Sequence, residues 1–155
     1  MKTIHSMIAI AALAFTMPAQ AGVNDPEVII YRFPGVRDSG AGSGAGGATV
    51  FSCTNFSGST ENIRFVTRDP NINIISNQTI TVSHLQSGLA STHTTNSYPA
   101  ATFLNTGLVA GGTTAIAATS INVICTAMAI DASTVFPHGV ALRGIRFSPV
   151  PGSQE

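Results

Sequence analysis

The sequence predicts an all-β protein: a small antiparallel β-sandwich of immunoglobulin-like architecture with one disulfide, preceded by a cleavable signal peptide. Three observations carry this expectation. Apolar and polar residues alternate with a period of two far more often than with the helical period. Clusters of Gly, Pro, Asn, Asp and Ser divide those runs into short segments. The only two cysteines, Cys53 and Cys125, each sit inside an apolar, β-branched segment. The composition agrees, because 155 residues that are 44% hydrophobic and 9% charged are too apolar for a disordered chain. They are also enough for one domain with a real core. Seven basic side chains cancel seven acidic ones, so no net positive field marks a nucleic-acid partner. The chain has no tryptophan. A true immunoglobulin domain packs one between its cysteines, so the architecture is expected and not the superfamily.

Residues 1–21 read as an export signal. Lys2 supplies a positive start, Met7 to Phe15 form an apolar run, and Pro18 precedes Ala19-Gln20-Ala21. That order places cleavage between Ala21 and Gly22. The run is too short to cross a bilayer, which takes about 20 residues. No transmembrane span is expected after cleavage, and the product is expected to be secreted or periplasmic. Lys2 is the only lysine, so the chain from Gly22 carries six arginines against seven acids. In an oxidising compartment Cys53 and Cys125 most simply form one disulfide. It closes a loop of about 70 residues, worth roughly 4 kcal/mol in chain-entropy terms. It is expected to pin two facing sheets about 10 Å apart.

The mature chain divides into an N-terminal strand or arm with a Gly-rich linker (22–48), a sandwich domain (49–147) and a tail (148–155) expected to fray. Val28 to Phe33 read as a first strand ended by Pro34-Gly35. Residues 39–48 alternate Gly with Ala and Ser, which reads as a mobile linker. Val50 to Cys53 form a strand carrying the first cysteine. Ile63, Phe65 and Thr67 alternate with Asn62, Arg64 and Arg68, which turns the arginines to water. Asp69-Pro70-Asn71 is turn chemistry. Ile72, Ile74, Ile80 and Val82 share a parity, so Asn62 to Val82 reads as a hairpin. Residues 83–112 are less regular, with a short strand or turn near Phe103-Leu104. Thr113 to Thr119 follow as a strand. Ile121, Val123, Cys125, Ala127 and Ala129 lie opposite Ile124, Met128 and Ile130, which suits a central strand with Cys125 inward. Val140 to Phe147 form the last strand, with a parity shift at Gly144 that reads as a bulge.

No residue is assigned a catalytic, cofactor-binding or metal-ligating role. Gly42-x-Gly44-x-x-Gly47 matches the dinucleotide fingerprint by letter, but a strand rather than a helix follows it. No G-x-S-x-G or H-E-x-x-H occurs. The expected function is therefore a non-enzymatic binding or structural module. A protein or glycan partner is expected at loops 84–99 and 131–138, because loops on a rigid scaffold carry most recognition. The alternative enzyme class is a secreted hydrolase or metal-binding protein. It would use His84, His93 and His138 with Asp69 or Asp131. Asn55-Phe56-Ser57 and Asn77-Gln78-Thr79 are acceptor sequons. Arg64, Arg68, Arg143 and Arg146 would form a basic stripe if their strands were neighbours.

The export signal, the size, the Cys53–Cys125 pair and the β-rich pattern are together similar to pilin subunits of the chaperone–usher type. That resemblance implies a fold completed by a strand from a neighbour, with Val28 to Phe33 as the donor. Two features depart from the pattern: the wide spacing of the cysteines and a C-terminus without alternating aromatic residues.

Overall fold

The computed structural model describes residues 27–147. The segment read as a leader, with Ala19, Ala21 and Gly22, and the tail 148–155 lie outside the described residues. Ten strands form in chain order: β1 Val28–Asp38, β2 Gly47–Asn55, β3 Glu61–Arg68, β4 Ile74–Val82 and β5 Ser87–Ser91. There follow β6 Thr102–Phe103, β7 Val109–Ala118, β8 Val123–Asp131, β9 Gly139–Leu142 and β10 Ile145–Arg146. They make two five-stranded sheets, ordered β10-β1-β7-β3-β4 and β6-β5-β2-β8-β9. The sheets face each other across one core, in a β-sandwich-like arrangement. Phe33 and Phe65 come from the first sheet and Phe51 from the second, and the Phe33–Phe51 and Phe51–Phe65 ring centroids are each 5.8 Å apart. Ile30, Ile63, Ile116 and Val123 complete the centre. Each fully buried side chain of this size contributes roughly 1.5–3 kcal/mol.

The disulfide forms between the expected cysteines, but it does not join the layers. Cys53 and Cys125 are directly opposed in the β2–β8 ladder, with Cα atoms 4.1 Å apart. Strands β2 and β8 are neighbours in one sheet, and directly opposed residues of paired strands lie within disulfide reach. The staple therefore sits inside the second sheet.

The segment read as an arm is part of the domain. β1 pairs with both β7 and β10, and it buries Ile30, Tyr31, Phe33 and Val36. Pro34-Gly35 does not end it. The register slips there, and again between Ile29 and Tyr31, and the strand continues to Asp38. The proposed donor strand is thus paired within its own chain. Nor is the Gly-rich stretch a featureless linker: Gly47 and Ala48 belong to β2, and the remainder is a defined turn. Gly40, Gly42, Gly44 and Gly46 have φ of 68°, 88°, 66° and 69°. Those are left-handed values that side chains resist. The alternation of glycine with small residues therefore specifies a backbone path. The turn is closed by Ser39 N–H donating to Gly47 O (2.9 Å) and tied to the next loop by Gly44 N–H donating to Thr94 O (2.8 Å).

The hairpin over Asn62 to Val82 forms as β3–β4, with Ile63 opposite Ile80 and Arg64 opposite Thr79. A register shift after Thr67 places Ile74 opposite Arg68 on the outer face, and Ile72 is exposed in the turn. Neither joins the core as their parity suggested. Likewise Ile121 and Ile124 of the expected central strand are exposed. The last strand is two strands in different sheets. β9 pairs with β8, and after Arg143-Gly144 the chain crosses to pair with β1 as β10. The parity change at Gly144 marks this crossing and not a bulge.

A Cβ on Gly144 would lie 2.4 Å from Phe33 Cε1, and Phe33 is buried among aromatic neighbours that give it no room. Gly144→Ala should therefore overpack the crossing and cost about 1–3 kcal/mol. The check is the urea midpoint, and an unchanged midpoint would show that Phe33 yields freely.

Candidate functional site

The three histidines do not converge. His84 lies at the end of the sandwich where β2 finishes, and its Nδ1 accepts the Gly58 N–H (3.1 Å). His93 and His138 lie at the end where β2 begins, since Asp131 pairs with Gly47 and the Asp131 N–H donates to His138 O (3.4 Å). At roughly 3.3 Å per residue the two ends of β2 are about 26 Å apart. Among the described residues no group of three metal-ligating side chains forms.

His93 pairs with an acid that was not among the sequence candidates. Its Nδ1 lies 2.9 Å from Asp38 Oδ2, off the axis of a hydrogen bond. Its Nε2 is 3.1 Å from Ala45 O. Both ring nitrogens therefore face oxygens, and neither presents a lone pair outward as a general base must. Asp38 is buried and accepts from Thr106 Oγ1 (3.1 Å) and from the Gly40 N–H (2.8 Å). This is a lock between the end of β1, the glycine turn and the loop after β5. The other two acids cap turns. Asp69 accepts from the backbone of Asn71 and Asn73, and Asp131 accepts from the backbone and hydroxyl of Ser133.

The loops expected to meet a partner hydrogen-bond to one another. Residues 84–99 include the strand β5, which was not expected. Beyond it, Asn96 Nδ2 donates to Ser133 O (2.9 Å) and Ser97 Oγ to Thr134 O. Tyr98 folds onto Met128 and covers a small outer cluster of Ala48, Val50, Ile130 and Ala132. The outer face of the second sheet is therefore partly roofed.

One sequon is closed in the folded protein. Asn55 is fully buried, and its Nδ2 donates to Ser59 O (2.7 Å) and Val82 O (2.8 Å). Asn77 is exposed. Beside Asn55, Glu61 is buried. Burial opposes its ionisation, but the hydroxyls of Ser57, Thr119 and Ser59 together outweigh that and hold its carboxyl below the usual 4.5. Asp69 and Asp131 are also held below the usual 3.8, through the side chains of Asn73 and Ser133 first and then the turn N–H groups. A carboxyl depressed on folding stabilises above its unfolded pKa, and that stability is lost as pH falls through the folded value. Melting temperature should therefore be flat above about pH 5 and decline below about pH 4. A stability that rises on acidification would contradict these assignments.

The remaining feature is a groove on the outer face of the first sheet. Ala115 and Ala117 of β7 form its floor, between the longer side chains of β1 and β3. The register explains the shape: Arg32 and Val66 flank Ala115, Ile29 and Arg64 flank Ala117, and Arg68 lies opposite Thr113. The hollow measures about 530 Å³ and is lined also by Glu27 and Ile74. Each guanidinium is steadied from one side. Arg64 Nε donates to Asn77 Oδ1 (2.7 Å), Arg68 Nη1 donates to Ile72 O (2.7 Å), and Arg32 lies 5.6 Å from the centre of the Phe147 ring. Arg64 Nη1 is 3.5 Å from Glu27 Oε2. Three cations thus stand against one carboxylate, with donors to spare in each five-donor fork.

Of the four arginines read as a possible stripe, the fold brings together Arg64 and Arg68. Arg146 turns the other way, with Cζ 5.7 Å from the centre of the Tyr31 ring and Nη2 donating to Ile121 O. Arg143 sits at the crossing between sheets. Arg32, Ala115 and Ala117 carried no signal of their own in the sequence, because only the strand order β1-β7-β3 makes them neighbours. Compared with protein-family models, curated proteins and solved structures, the chain finds no match in any of the three.

Proposed function

We propose that this is an exported protein that works by binding, and that the groove of Arg32, Arg64 and Arg68 is its recognition surface. One observation carries the reading: three arginines, each positioned by a different neighbour, ring an apolar floor on a rigid sheet. Pre-positioned forks lose little freedom on meeting an anion, which favours binding. The leader over residues 1–21 and the Cys53–Cys125 disulfide support secretion or a periplasmic location. Among the described residues no helix is long and apolar enough to cross a membrane.

The test uses the sign of the charge. At about pH 8 the chain from Gly22 has a net negative charge, so retention on a carboxylate-bearing matrix reports a local basic patch. The oxidised protein should be retained and elute with modest salt, while the Arg64→Glu/Arg68→Glu variant should flow through. Equal behaviour of the two proteins would refute the assignment.

A further inference from the structure

The groove's dimensions point to a particular ligand. We propose that it takes an extended acidic peptide segment with carboxylates four residues apart and an apolar residue midway. This rests on the reading of the groove as the recognition surface and goes further in naming what fills it. Arg64, Val66 and Arg68 alternate along the outer side of β3. At about 3.3 Å per residue the two arginines are roughly 13 Å apart, with Val66 between them. An extended peptide lying over Ala115 and Ala117 repeats the same period. Its side chains at one position and the fourth after it reach Arg64 and Arg68, and the side chain midway meets Val66 and the alanine floor. Arg32 stands across the groove from Val66, two strand spacings or about 10 Å away. It takes an acid from the ligand's other edge. The small floor residues leave room for a backbone at that level, which larger side chains would close.

A peptide suits this surface better than an acidic glycan. The lining is aliphatic apart from its charged groups, with no aromatic ring among its residues for a sugar face to stack on. The charges also follow the two-residue period of extended polypeptide. The Glu27 carboxylate beside Arg64 marks one end of the groove.

The experiment is fluorescence anisotropy on the full oxidised protein with two labelled peptides of one composition. In Glu-Ser-Val-Ser-Glu the acids are spaced, and in Glu-Glu-Val-Ser-Ser they are adjacent. An oligogalacturonate is the third probe. The spaced peptide should bind at least about ten-fold more tightly than the adjacent one. Arg64→Ala or Arg68→Ala should each weaken it by about ten-fold or more, the usual effect of losing a charged hydrogen bond. Both arginines are on the surface, so these variants retain the fold. The Arg64→Glu/Arg68→Glu protein should instead take Lys-Ser-Val-Ser-Lys. Equal affinity for the two acidic peptides, or indifference to the arginine substitutions, overturns the inference. Arginine-dependent binding of oligogalacturonate without peptide binding overturns the peptide class and leaves the groove as the recognition surface. Failure of every polyanion overturns both.

Discussion

Replacing both cysteines, Cys53→Ala with Cys125→Ala, is expected to lower the unfolding free energy by about 4 kcal/mol. The cysteines are 72 residues apart in sequence, so the bond removes a long loop's worth of freedom from the unfolded chain. Its position within one sheet sharpens the expectation. The β2–β8 ladder pairs every residue from Gly47 with Asp131 to Asn55 with Val123, so the native register does not depend on the sulfurs. The variant should keep its far-UV β spectrum while its urea midpoint falls. Its m-value should rise, because the uncrosslinked denatured chain exposes more surface. Loss of β structure in the variant would show that the staple, and not the ladder, sets the register. An unchanged midpoint would show that the bond adds nothing.

The second large effect is expected at the buried His93–Asp38 contact. His93→Ala takes the imidazole away from Asp38, whose side chain is only 2% exposed. Leaving a buried polar group without its partner costs about 1–3 kcal/mol. Asp38→Ala should be comparable, since it also releases Thr106 and the Gly40 N–H. Removing both partners should cost clearly less than the two single losses added together. The glycine turn at 39–46 should be the first site cut by protease in either single variant, since His93 Nε2 holds Ala45 O. Additive effects in the double variant would mean that the two groups act independently.

Elements whose signal is local were legible in the sequence. In Asn62 to Arg68 each core residue is followed by a polar or outward one, and β3 forms as the alternation requires. β1 resisted the same reasoning because its register slips turn both Ile30 and Tyr31 inward, and parity cannot register an inserted residue. β5 was missed because Ser87-Gly88-Leu89-Ala90-Ser91 has weak strand propensity, and its pairing with β2 is a tertiary fact. The cysteine pairing was legible from their number and the export expected of the chain, but its layer was not, since nothing local says that β2 and β8 are neighbours. The glycine turn was misread because composition hides which glycines need positive φ. The groove was half visible. Arg64 and Arg68 share an outward parity on one strand, but Arg32 and the alanine floor join them only through the order of strands in the sheet.

The most direct test of the central claim is a heteronuclear NMR titration of the oxidised protein with the spaced acidic peptide. The account predicts that amide shifts concentrate at Arg32, Arg64, Val66, Arg68, Ala115 and Ala117. Shifts concentrated instead at residues 92–99 and 131–138 would contradict it and return recognition to the loops.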